Sequence, residues 1–258
     1  MSDKNQVSSS HLVLIPSYNT GKLLTDTVEE VVQQWQPVWV VIDGSDDGSE
    51  TLLEPLQVLY PDLLLVIKTS ENRGKGAAIL EGVTLAKEAG FTHVLTMDAD
   101  YQHSASFIRQ FMQASAANLA AMVLGEPQFD ESAPMIRVKG RQISNWWANL
   151  ETLGAGIHDS LFGMRVYPIA DLIAVMHSTR WARRFDFDPE VAVRMAWRCV
   201  PIVNIETPVR YLSKQEGGVS QFKYGRDNVL LTGMHIRLFL GFLFRLPKLL
   251  RINKESRL

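Results

Sequence analysis

A single cysteine, Cys199, stands in a chain of 258 residues. That excludes an internal disulfide framework and a four-cysteine zinc site. Within MAWRCVPIV it reads as core packing. Neither sign of charge is in excess: 26 Lys and Arg against 28 Asp and Glu leave −2. There is no broad basic footprint, so no nucleic-acid partner is expected. The segment MSDKNQVSSS has no apolar run of the kind a secretory leader carries, so the reading is cytoplasmic, and residues 1–10 are expected to be disordered. The G-x-x-x-x-G-K-[ST] phosphate loop is missing, as are G-x-G-x-x-G and any repeat of fixed period.

The 46% hydrophobic content is enough to build a sizeable core. Five short, nearly continuous apolar runs alternate with helical patterns. HLVLI (11–15), PVWVVID (37–43), LLLVIK (63–68), FTHVLTMD (91–98) and LAAMVLG (119–125) read as buried parallel strands. Segments 21–35, 49–59, 74–89 and 104–118 read as the helices between them. The pattern predicts an α/β fold with a mostly parallel, Rossmann-like sheet flanked by helices. Downstream, 126–140 reads as a mobile loop, 141–153 as a helix, GMRVYP (163–168) as a strand, 187–199 as a helix and 200–211 as an extended stretch. A polar loop, 213–221, leads to a helix over about 223–246.

Ligands of such sheets sit beyond the carboxyl ends of the strands. There the sequence places PSYN, DGSDDGS, ENRGKGAA and DADYQH in turn. Asp98 and Asp100, two residues apart at a strand end, can approach one hard divalent ion, Mg2+ or Mn2+, that leaves positions for phosphate oxygens. A turn or helix cap is the competing reading. Asp43 could accept from a nucleobase N–H or a ribose hydroxyl, whereas turn hydrogen bonds account for Asp46, Asp47 and Ser49. Arg73 and Lys75, with Gly74 and Gly76, could bring a helix start close to a diphosphate, or form a solvated loop. His103 could be a metal ligand or a cap. Trp146, Trp147 and Trp181 could pack on sugar or lipid, or in the core.

These four motifs, in this order and spacing, resemble the inverting glycosyltransferases of family 2, which have the GT-A fold and use nucleotide-diphospho sugars. The likeness spans roughly residues 11–125 and continues. HDSLFGMRVYP is similar to the D-x-x-x-G-[FM]-[KR] segment of the dolichyl- and polyprenyl-phosphate sugar synthases. FDFDPEVAVRMAWR and the following PVRY resemble the segment that completes their acceptor side. The resemblance implies a donor pocket of Pro16, Tyr18, Asn19, Asp43, Lys75 and Asp98, with Arg73 or Lys75 assisting at the diphosphate, and metal at Asp98 and Asp100. It makes Asp159 an active-site carboxylate and Arg165 a cation for an acceptor phosphate; a surface turn and a strand edge are the plain readings. Asp188 or Glu190 could serve as general base or, before and after Pro189, as helix-capping acids. Thr20 and Ile42 depart from the family pattern, which has acidic residues there.

Two halves of a nucleotide-sugar domain are therefore expected, a donor half at 11–125 and an acceptor half at 126–222. Residues 223–258 form a basic amphipathic tail with charge +6, against −8 for the rest. Its apolar stretch from Val229 to Phe244 is 16 residues, short of the ~20 that span a bilayer. It reads as a helix lying on an anionic membrane face, with a core or dimer helix as the alternative. The function expected is metal-dependent, inverting sugar transfer from a UDP- or GDP-linked donor to a lipid or polyprenyl-phosphate acceptor, peripheral on the inner face of the membrane. A nucleotidyltransferase and a non-catalytic nucleotide-sugar-binding scaffold are the alternatives.

Overall fold

The computed structural model describes residues 7–129, 135–209 and 224–255. Among these residues seven strands form one sheet: β1 (His11–Ser17), β2 (Val38–Asp43), β3 (Leu64–Thr69), β4 (His93–Thr96), β5 (Met122–Gln128), β6 (Arg165–Pro168) and β7 (Ile202–Pro208). Their order is β3-β2-β1-β4-β6-β5-β7. All neighbours are parallel except β6, which runs against both β4 and β5. Among the described residues eight α-helices pack around the sheet: α1 (Lys22–Gln34), α2 (Glu54–Leu59), α3 (Lys75–Glu88), α4 (Ile108–Ala117), α5 (Met135–Glu151), α6 (Ile169–His177), α7 (Phe187–Trp197) and α8 (Tyr224–Glu255).

The unbroken apolar runs follow from burial on both faces. Alternate side chains of one strand enter different cores. Leu12 and Leu14 of β1 pack with Ile79 and Val83 of α3 and with Val191 of α7. Val13 and Ile15 pack with Val28 and Val31 of α1 and with Phe111 of α4. Ile42 is buried in this second core, so the position that departs from the family pattern faces away from Asp43.

Several expectations shift. β5 begins at Met122 and continues to Gln128, and α5 begins at Met135. Most of the expected loop 126–140 is thus strand or helix, and 130–134 lies outside the described residues, as do 1–6 and the polar loop 213–221. Within the segment expected to be disordered, Ser8 N–H donates to Gln36 O. Helix α6 has no counterpart in the sequence reading. Cys199 is exposed rather than packed. It follows the end of α7 with φ 63°, and this left-handed turn sends Val200, not the thiol, into the core. Helix α8 continues through Pro247 to Glu255. Its residues Gly225–Ile252 are long and apolar enough to cross a membrane by length and composition, contrary to the shorter run expected. One face of α8 nevertheless packs on the body through Met234, Leu238 and Phe242, while Val229, Ile236, Leu240, Leu243 and Phe244 are exposed.

At the amino ends of the strands, His11 and His93 stack with ring centroids 4.4 Å apart. Burial, with His93 alongside, pushes the His11 imidazole down to about 4 from 6.5. Its contribution to stability is complete above 6.5, where the unfolded chain is also neutral. It is lost as pH falls from 6.5 towards 4, where only the unfolded chain takes the proton. Unfolding midpoints measured across that window should fall more steeply for the natural chain than for His11→Gln.

Candidate functional site

One cavity of about 990 Å3 opens at the carboxyl ends of β1, β2 and β4. Pro16, Tyr18, Asn19, Asp43, Lys75, Asp98 and Asp100 line its polar half. Trp147 of α5 and Leu231, Ile236, Phe239 and Leu240 of α8 line the other. Seven of the residues expected at a donor or metal site are therefore brought together.

Their chemistry is more constrained than the motifs suggest. Asn19, with φ 48°, exchanges hydrogen bonds with Asp46: Nδ2 donates to Oδ1 at 2.7 Å and Asp46 N–H donates back at 3.0 Å. Asp47 accepts from Gly21 N–H at 2.8 Å and from Ser49 N–H at 3.1 Å. The DGSDDGS turn thus fastens the PSYN loop to itself, an extension of the turn role expected for it. Asp43 is buried, and its carboxylate accepts the N–H groups of Arg73 (3.1 Å) and Gly74 (2.7 Å). It organises the NRGKG loop.

That loop does not present itself as expected. Arg73 turns outward to pair with Glu81 at 2.8 Å and does not line the cavity. The glycines face protein backbone: a Cβ at Gly74 would lie 2.5 Å from Arg183 O, and one at Gly76 would lie 2.2 Å from Ala182 O. Ala77 N–H, near the start of α3, donates to Arg183 O. The small residues admit the 182–184 segment across the helix end rather than a diphosphate.

Lys75 reaches the cavity, between Asp98 Oδ1 and Asp188 Oδ2, each 2.6 Å from its Nζ. Burial opposes its charge, but Asp188 and Asp98 outweigh burial and hold the ammonium above its usual range. Asp98 is likewise held well below the carboxylate range, because Lys75 and His103 overcome its burial. Asp100 goes the other way: burial, then the charge of Asp98, raises it. Its carboxylate accepts the Gln102 N–H at 3.2 Å and has no ion pair among the described residues. Two hard carboxylates, one uncompensated, fit a divalent cation, which binds through one or two carboxylates plus substrate phosphates. No group of three or more His, Cys, Asp and Glu suited to a metal occurs among the described residues. His103 Nε2 lies 3.3 Å from Asp98 Oδ2, and its ring packs edge-on against Phe162.

The acceptor-side expectations divide. Asp188 lines the cavity, and its Oδ1 is buried without a hydrogen-bond partner. Glu190 is fully buried away from it, held by Arg194 at 2.8 Å and Arg237 at 3.1 Å. It ties α7 to α8 and is not positioned as a base. Asp159 is buried too. Its Oδ1 accepts from Arg141 (2.5 Å) and from the N–H groups of Leu161 (2.9 Å) and Phe162 (2.7 Å). These donors make it the organiser of the 159–162 turn. Arg165 is a correction: it is wholly buried and cannot meet an acceptor phosphate. Its guanidinium donates to Phe162 O (2.6 Å), Asp188 O (2.6 Å) and Asp159 O (3.4 Å), pinning three segments behind the cavity.

The antiparallel β6 explains how that turn arrives. Running against β4, it delivers its start at the carboxyl end of β4, where Arg165 pairs with Thr96. Gly163 then packs on the acidic pair: a Cβ there would fall 2.0 Å from Asp98 Oδ2. Sequence reasoning missed Gln102, Arg141, Ser144, Arg184, Arg226 and His235, all on the cavity wall. Gln102 adjoins the acidic pair and could have been read from DADYQH; the others have no local signature.

The site thus sits on a seven-stranded, mostly parallel α/β sheet with one reversed strand and acidic residues at the carboxyl ends of its strands. The chain belongs to glycosyl transferase family 2, whose model matches residues 12–187. It is thus a glycosyltransferase, which sets aside the nucleotidyltransferase and scaffold readings. Polyprenol monophosphomannose synthase of Mycolicibacterium smegmatis is 27% identical over 226 residues, covering 81% of this chain and 80% of that one. Undecaprenyl-phosphate mannosyltransferase of Micrococcus luteus is 24% identical over 212 residues, covering 80% and 85%. The crystal structure of glucosyl-3-phosphoglycerate synthase from Mycobacterium tuberculosis with Mn2+ and UDP-glucose matches with a TM-score of 0.67 at 14% identity, over 91% of this chain and 79% of that one. The fold is therefore GT-A.

Proposed function

We propose that this enzyme transfers a sugar, with inversion, from a nucleotide-diphospho donor to a polyprenyl phosphate at the membrane surface. The observation that carries the reading is the two-sided cavity: acids and Lys75 at the strand ends, an apolar wall from α5 and α8 opposite. The names of the curated relatives supply the acceptor class. Asp98 and Asp100 would hold a divalent ion, Mg2+ or Mn2+. That ion supplies charge stabilisation for the departing nucleoside diphosphate. Tyr18, Asn19 and the Asp43-organised loop border the donor space.

A phosphate acceptor suits this wall because it is ionised near neutral pH and needs no general base. Of the three carboxylates considered for that role, only Asp188 faces the cavity, and it holds Lys75. Arg184 and Arg226 line the cavity and take over the phosphate-binding part once expected of Arg165. The exposed apolar side of α8, with Arg245, Lys248 and Arg251 along the same helix, suits peripheral contact with an anionic bilayer.

The test is a radiolabelled transfer assay with UDP- and GDP-linked hexoses, comparing undecaprenyl phosphate with undecaprenol, in Mn2+, Mg2+ or EDTA. The expected result is a lipid-linked sugar of inverted anomeric configuration from the phosphate only, abolished by EDTA. Equal transfer to undecaprenol would overturn the phosphate acceptor, and full turnover in EDTA would overturn the metal.

A further inference from the structure

Helix α8 carries polar side chains into its buried contacts, and for His235 the position of a proton can be deduced. His235 is 7% exposed and lines the acceptor half of the cavity. Its Nδ1 is 3.1 Å from Glu151 Oε1 of α5, and its Nε2 is 3.2 Å from Ser144 Oγ. Ser144 Oγ is 3.0 Å from Ser160 Oγ, which is 2.8 Å from Asn145 Oδ1.

The direction of this chain is fixed at its far end. Asn145 Nδ2 donates to His158 O and Asp159 Oδ2, and Ser160 N–H donates to Asn145 Oδ1, so the amide orientation is settled. An amide oxygen only accepts, and a hydroxyl has one proton to give. Ser160 gives its proton to Asn145, so Ser144 donates to Ser160, and His235 donates to Ser144 from Nε2–H. The imidazole Nδ1 then faces the Glu151 carboxyl with one further proton between them. That proton makes either an imidazolium beside a carboxylate or a neutral ring accepting from the carboxylic acid. Glu151 is fully buried and its Oε2 has no partner. Burial raises its carboxyl above the ordinary range; the Glu190 charge adds to this and His235 works against it.

We propose that His235 and Glu151 share one proton that seats α8 against α5, and that this clamp positions the acceptor wall. Without the proton, a lone pair on Nδ1 would face a carboxylate in a buried site, and the contact would repel. Among the described residues, the other charged groups at this junction are Glu190 of α7, held by Arg194, Asp186 just before α7, and Arg237 of α8, which pairs with both Glu190 and Asp186. They form a second tie between α8 and the body that contains no histidine. The clamp also reaches Ser160, three residues before the Gly163 that packs on Asp98, so the seat of α8 and the floor under Asp98 belong to one short stretch of chain. His235 and Glu151 are positioning residues.

The role of the clamp at the acceptor wall rests on the acceptor reading above; the seating of α8 does not. Glu151→Gln separates the proton from the bond, because its amide N–H can donate to Nδ1 at any pH. Hydrogen exchange of the α8 amides in the full chain, corrected for intrinsic rates, should rise on the order of tenfold from mildly acidic to alkaline buffer in the natural protein. It should stay low in Glu151→Gln and be high throughout in Glu151→Ala, or in His235→Phe should that variant not fold. Natural-chain exchange independent of pH, or a Glu151→Gln variant that tracks the natural chain, overturns the clamp. In turnover, KM for polyprenyl phosphate should climb with pH in the natural chain but not in Glu151→Gln, with kcat unaffected. If no variant transfers to polyprenyl phosphate while the exchange pattern holds, the acceptor reading fails and the clamp stands.

Discussion

Asp100→Ala should lower kcat by about 10²–10⁴-fold, the rate equivalent of several kcal/mol of lost charge stabilisation. The fold should survive. Asp100 contributes one hydrogen bond, to the Gln102 amide, and burial together with the Asp98 charge already disfavours its ionised form. Removing it should therefore leave the unfolding midpoint unchanged or slightly raised. Calorimetric titration with a nucleoside diphosphate and Mn2+ separates the causes. Metal-dependent binding should disappear in the variant, while the metal-free affinity is retained. Metal-dependent binding at natural strength in Asp100→Ala would place the ion elsewhere.

The second large effect falls on stability. Arg165→Met should destabilise the enzyme by about 3–5 kcal/mol, since several buried oxygens lose a charged donor at roughly 1–3 kcal/mol each. Methionine preserves most of the volume but none of the donors. The carbonyls of Phe162, Asp188 and Asp159 would lose the guanidinium they share, and a buried acceptor without a partner keeps its full desolvation cost. For a chain of this size the unfolding midpoint should drop by roughly 6–20 °C. A midpoint within a degree or two of the natural chain would show that water replaces those bonds. Because Asp188 also holds Lys75, activity should fall even below the melting range.

These two residues mark the limits of what the sequence discloses. Asp100 was legible because a strand end in a parallel sheet faces the ligand side, and the run before it is apolar enough to place that end. Asp43, Lys75 and Asp98 follow from the same placement, whereas Pro16, Tyr18 and Asn19 rest on the family resemblance, and all six line the cavity. Arg165, Asp159 and Glu190 were not legible, since spacing does not tell whether a polar side chain turns to the cavity or back into the protein. Each found donors or acceptors behind the wall. Gly74 and Gly76 misled similarly: a glycine announces close approach of something, and here that something is the 182–184 backbone. The reversed direction of β6 left no trace in its own four residues. His235 and Ser144 lie 91 positions apart, and no periodic pattern joins them.

The reversed strand also bears on how the enzyme comes into being. β4 pairs with β6 through Thr96 and Arg165, so as the chain leaves the ribosome β4 waits with one edge bare until the long stretch containing β5 and α5 has emerged. Contacts so distant along the chain are slow to form, and a bare strand edge invites pairing with another copy. The first four strands can assemble early, as a half-built sheet with its acidic rim already in place. The later insertion of β6 closes that edge and carries Gly163 onto Asp98. Closure of that edge and the seating of Gly163 on Asp98 are thus one folding event, ahead of β7, Asp188 and the α8 wall, and a chain arrested before it would be both inactive and prone to self-association.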